Sequence, residues 1–82
     1  MTKEKLNQVF EECRRTRSGI VIDLKMPNQE YPERIINHYT SLKAKQEYYN
    51  EMYDDNLIHK RNELIKIISA KPIQVAFFSK GE

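Results

Sequence analysis

The stretch from Ile35 to Leu57 constrains the fold more than any other, because its hydrophobic period changes within a few residues. Ile35-Ile36-Asn37 reads as the end of a strand, and Thr40 or Ser41 offers a hydroxyl to cap a helix. Leu42, Tyr49, Met52, Tyr53 and Leu57 then recur at the spacing of one helical face. A helix reaching Leu57 would carry a large share of the aromatic surface the chain can bury. Its charges oppose the helix dipole, with Lys43 and Lys45 at the positive end and Asp54 and Asp55 at the negative end. Packing of the tyrosine face against a sheet, and not local preference, must therefore hold it.

Upstream, Leu6, Val9, Phe10 and Cys13 fall at i, i+3, i+4 and i+7, one apolar stripe on a helix from Thr2 to Arg15. Thr2 can cap its start, Glu4 and the pair Arg14-Arg15 agree with the dipole, and Gly19 is the expected terminator. From Gly19 to Met26 the period drops to two, Ile20, Ile22, Leu24 and Met26 alternating with Val21, Asp23 and Lys25, as in a strand with one buried face. Pro27-Asn28-Gln29-Glu30 is turn chemistry, so Tyr31 to His38, with Pro32 near its start, should return as an antiparallel hairpin partner.

The segment after Leu57 supports two patterns. Leu57, Ile58, Arg61, Leu64, Ile65 and Ile68 fit a third amphipathic helix, whereas Ile65, Ile67, Ile73, Val75 and Phe77 keep one parity, as a strand requires. β-Branched density favours the strand. The expectation is a loop over His59 to Asn62, strand from Leu64 onward, Ser69-Ala70-Lys71-Pro72 as a bend or second hairpin turn, and a frayed tail over Ser79 to Glu82. The order is α-β-β-α-β, with one extra carboxyl-terminal strand as a variant: a single α+β domain whose antiparallel sheet is packed by helices.

The chain has 82 residues. At that length it buries only about 60–65% of its unfolded surface and leaves roughly 3–5 kcal/mol of net stability. A lone Cys13 excludes an internal disulfide, and Cys13, His38 and His59 lack the spacing of zinc ligands, so self-association is the remaining way to add buried surface. Cys13 sits on the apolar stripe and reads as a buried reduced thiol. Fourteen basic against twelve acidic residues give +2, which is not the footprint of a protein that lives on phosphate backbones. The polar amino terminus and the absence of a long apolar run predict a cytoplasmic protein that does not enter membranes.

Met26-Pro27, Pro32-Glu33 leading into Ile35-Ile36-Asn37, Lys45, Tyr48-Tyr49, Tyr53-Asp54-Asp55-Asn56-Leu57, His59-Lys60 and Ile65-Lys66-Ile67 are the residues of a family likeness. Over roughly Gly19 to Ile68 the chain resembles short uncharacterised proteins encoded by phages and prophages of Gram-positive bacteria. It departs from them at His38, where the group usually has proline after the asparagine, and in a longer extension after Ile68. The resemblance implies a phage or prophage accessory protein and supplies no site residues.

No spacing assembles a nucleophile with His38 or His59, and no glycine lies between Gly19 and Gly81 to build a phosphate-cradling loop. The reading is therefore not an enzyme, with no catalytic residues, no metal ligands and no cofactor. The stripe Glu47, Glu51, Asp54 and Asp55 reads as a solvated helix face. Tyr48 and Tyr49 cannot both face inward, nor can Phe77 and Phe78. An outward Tyr48 on its helix, with Phe78 and Val75 on a strand edge, would form a protein-binding and dimerising surface. The alternative is a nucleic-acid-binding regulator in which Arg14, Arg15 and Arg17 come together with Lys60 and Arg61.

Overall fold

Thr2 begins the first element as the sequence implies. In the computed structural model, which describes residues 1–73, its hydroxyl accepts the Lys5 N–H at 3.2 Å and caps helix α1, Lys3–Thr16. Leu6, Phe10 and Cys13 are fully buried, the stripe that their spacing draws. The stop differs from expectation. Arg17, not Gly19, turns the chain, in the left-handed region at φ 57° with its N–H returned to the Cys13 carbonyl. Gly19 instead opens strand β1, Gly19–Lys25.

Strand β2, Glu33–Asn37, pairs antiparallel with β1 as the hairpin pattern predicts. It is shorter than Tyr31 to His38, because Pro32 has no N–H to place in the ladder and His38 has already turned toward the next helix. Asn28, at φ 63°, supplies the left-handed residue of the connecting turn, a conformation asparagine tolerates. After β2 a short 3-10 turn, Tyr39–Ser41, precedes helix α2, Leu42–Met52. Neither Thr40 nor Ser41 caps α2. The His38 ring accepts the Thr40 N–H, and Ser41 directs its hydroxyl to the His38 carbonyl at 3.0 Å.

Helix α2 ends five residues before Leu57, and Asp54 is the reason. Its Oδ1 accepts the backbone N–H groups of Asn56 at 2.8 Å and Ile58 at 3.0 Å, a turn that competes with helix. Tyr53 is extended and bridges His59, while Leu57 takes φ 63°. Both side chains still reach the core, at 3% and 0% exposure, from non-helical backbone. Met52 is only half-buried.

The ambiguous segment is strand. Strand β3, Ile58–His59, turns through Lys60 and Arg61 into β4, Asn62–Ile73, which completes an antiparallel sheet in the order β2-β1-β4-β3. Ser69 to Pro72 is neither a bend nor a hairpin turn, since it pairs residue by residue with Asp23 to Ile20. Pro72 is tolerated there because the outer side of β4 faces no strand at that point among the described residues. A bulge at Ile68 separates the pairs Leu24–Ile67 and Asp23–Ser69. It reverses parity, so Ala70 and Pro72 follow Ile65 and Ile67 on the core side, and Ile73 leaves the face that uninterrupted alternation assigned it. The expectations for Val75, Phe77, Phe78 and residues 79–82 lie outside the described residues.

The molecule is thus α+β, with its helices on one face of the sheet. Leu6, Phe10, Cys13, Leu42, Tyr49, Tyr53 and Leu57 meet Ile20, Ile22, Leu24 and Ile67 in one hydrophobic cluster. A polar seam sets the register of the two helices. The amides of Asn7 and Asn50 donate to each other's oxygens at 2.9 and 2.7 Å, and Gln46 donates to Asn7 at 2.9 Å. At the amino end of α1, the Lys3 N–H donates to the Asp55 carbonyl at 3.2 Å and joins it to the loop after α2.

Candidate protein-binding face

Alternation along β1 places Ile20, Ile22 and Leu24 under the helices and aims Val21, Asp23 and Lys25 the other way. Register extends that outer face across the sheet. Ile36 and Lys71 flank Val21, Arg34 and Ser69 flank Asp23, and Lys66 stands opposite Lys25. No helix covers this face among the described residues. Ile36 is 46% exposed, Leu64 61% and Ile68 45%. Val21, at 4%, is shielded although no helix lies over it. The bulge puts Ile68 and Ser69 on this side together, and Ile68 helps line a cleft of about 200 Å³ with Lys25, Met26, Tyr31 and Pro32.

One ion pair organises the middle of the face. The Arg34 guanidinium donates to both Asp23 carboxylate oxygens, at 2.9 and 3.2 Å, and the Ser69 hydroxyl donates to Oδ2 at 3.1 Å. The hydrogen bond from Arg34 holds the Asp23 carboxyl below its ordinary range against the opposing effect of burial, and the Ser69 hydroxyl adds a lesser lowering. Arg34 is raised in turn by Asp23.

The helical side is built differently. Phe10, Tyr49, Tyr53 and His59 form a chain of ring contacts, with centroids 6.1, 5.6 and 5.0 Å apart in succession. Burial pushes the Tyr53 phenol up to about 12 and also raises Tyr49. The Asn37 side chain is buried beside Tyr49 and counters part of that rise, although its Nδ2 meets no acceptor at hydrogen-bonding geometry. The Cys13 thiol is pushed up to about 11, by burial first and then by Glu12, which leaves very little thiolate near neutral pH.

The sequence-predicted contact residues fare unevenly. Tyr48 is 45% exposed, as expected of an outward ring, and it rests edge-on against Tyr49 at 5.2 Å with the Lys45 ammonium 5.9 Å from its centre. Val75 and Phe78 lie outside the described residues. The basic residues do not converge. Arg14 is bound to Gln46 and Glu11, Arg15 to Glu12, and Arg17 forms the turn at the carboxyl end of α1. Lys60 and Arg61 occupy the β3–β4 turn, where the Lys60 N–H donates to the Met52 carbonyl, at the corner that holds the amino end of α1. The length of α1, about 20 Å at 1.5 Å per residue, separates the two groups.

The sequence reading missed Ile36, Leu64, Ile68, Lys25 and Lys66 as a surface. Alternation marks Lys25 and Lys66 as outward, but only the register reveals that they meet. No family model matches the chain, and no curated protein or solved structure shows detectable similarity to it.

Proposed function

We propose that this is a non-enzymatic accessory protein, of phage or prophage type, that works by binding another protein through the uncovered face of its sheet. The supporting observation is the exposure of Ile36, Leu64 and Ile68 on the side of the sheet that carries no helix among the described residues. Leu64 and Ile68 lie two positions either side of Lys66 on β4, and Ile36 stands two strands away on the same side. Several exposed apolar side chains sharing one face favour a binding surface, whereas singly scattered ones need no explanation. Self-association belongs to the same reading, since a core this small gains most from added buried area. The strand edges are the poorer place for it. Pro32 borders β2, and Lys71 and Pro72 lie where β4 has no outer neighbour among the described residues, both devices that discourage edge pairing.

Light scattering and capture from a bacterial lysate test this reading together. The unaltered protein should form dimers or retain a specific partner, and Ile36→Asp combined with Ile68→Asp should remove that association while the circular dichroism spectrum is kept. A monomer that retains nothing, or a double variant that retains everything, would overturn it.

A further inference from the structure

Lys25 and Lys66 face each other directly across the β1–β4 ladder, on the side of the sheet that no helix covers among the described residues. Like charges at opposed positions weaken a sheet, so this pair opposes folding when nothing lies over it. Neither lysine has an ion-pair partner among the described residues, whose ion pairs are Arg14–Glu11, Arg15–Glu12 and Arg34–Asp23. The carboxylate that β1 contributes to this face, Asp23, is already held by Arg34 and Ser69. The cleft beside Ile68 has Lys25 in its wall together with Glu30, and the two form no ion pair. Apolar footing and unneutralised positive charge are therefore adjacent.

Resting on the protein-binding reading above, we propose that the partner is an acidic, apolar protein segment, which seats apolar side chains on Ile68 and Leu64 and sets a carboxylate between Lys25 and Lys66. Charge complementarity selects this occupant over the others. A second copy stacked with the two lysine pairs in register would set four ammonium groups together, so self-association through this face requires an offset that leaves the pair unneutralised. A single-stranded nucleic acid would match the charge, but it stacks successive bases on several rings, and beside the exposed Tyr31 of the cleft the apolar side chains of this face, Ile36, Leu64 and Ile68, are aliphatic. An acidic segment removes the repulsion and covers the apolar side chains at once.

The probe is a short fluorescent peptide of alternating Glu and Val, measured by anisotropy beside the same peptide with Gln for Glu and beside labelled oligothymidylate. The Glu peptide should bind at least about tenfold more tightly than the Gln peptide. That advantage should shrink with added salt and disappear in the Lys25→Gln, Lys66→Gln double variant. The variant's fold is checked by circular dichroism, and both side chains are exposed. Equal binding of the Glu and Gln peptides would overturn the charge inference and leave an apolar docking face standing. An undiminished Glu-peptide affinity in the double variant would overturn it as well. Binding of none of the three would overturn the inference and leave the protein-binding reading to the lysate capture above, whereas binding of oligothymidylate in preference to both peptides would overturn the two together.

Discussion

Ile22 and Val21 are neighbours on one strand and almost equally hidden, yet they belong to unlike surfaces. Ile22 is fully buried beneath a layer of Leu6, Phe10, Tyr49 and Tyr53. Val21 lies on the helix-free face between Ile36 and Lys71 and is 4% exposed. The inner face is closed by apolar and aromatic packing that the chain supplies itself. The outer face mixes exposed aliphatic groups with charge, and its Lys25–Lys66 pair works against the fold. Among the described residues one face of the sheet is closed and the other is not, and on the reading proposed above the first serves stability and the second contact.

The sharpest way to break that contrast is a pair of truncations. Phe10→Ala should cost about 3–5 kcal/mol. That is comparable to the whole expected stability, so the variant should be largely unfolded in water. Ile36→Ala should cost about 1 kcal/mol or less, because nearly half of the side chain is already wet. Urea denaturation followed by circular dichroism measures both, and similar losses would show that the outer face is a second core.

The next test uses alkali. Tyr53, held up at about 12 against an ordinary value of 10.0, and Tyr49, raised in the same direction, stay protonated in the folded protein after an unfolded chain would have lost those protons. The unfolded state therefore gains as pH rises, and stability should fall between about pH 10 and pH 12. Absorbance of phenolate should show these two rings ionising together with unfolding. Their early titration in a still-folded protein would contradict the closed inner face.

Smaller effects come from the outer face. Lys66→Glu should raise stability by about 0.5 kcal/mol, by replacing a like-charge pair with an opposite one across β1 and β4. A loss instead would mean that Lys25 and Lys66 do not repel. The smallest effect concerns Asp23. Its carboxyl is depressed by Arg34, so its contribution is complete above the unfolded value of 3.8 and is lost as pH falls through the lower folded value. Asp23→Asn should flatten the acid side of the stability profile by a few tenths of a kcal/mol, the scale of an exposed pair.

Where local chemistry and packing agree, the chain was readable. Thr2, Glu4, the Leu6-Phe10-Cys13 stripe and the two arginines all point to α1, and the alternation from Ile20 to Leu24 with the following turn residues points to the hairpin. The burial of Tyr49, Tyr53 and Leu57 was legible too, but not the backbone that delivers it. Asp54-Asp55-Asn56 is turn chemistry, and it outweighed a periodic apolar pattern that ran straight through it. The bulge at Ile68 has no sequence signature among consecutive β-branched residues, so the parity of β4 was followed past the point where it reverses. The outer face stayed hidden for a related reason. Two lysines more than forty positions apart become opposed only through β1–β4 pairing, which no local window contains.

The extra residue at position 68 gives the carboxyl half of β4 an unusual genetic tolerance. Removing that single amino acid would set Ile67 and Ser69 in consecutive ladder positions opposite Leu24 and Asp23, so the strand would straighten with Ala70 still inward and Lys71 still outward. A deletion one codon long would thus be absorbed at this point of a strand interior, where such a loss ordinarily exchanges the two faces of everything beyond it.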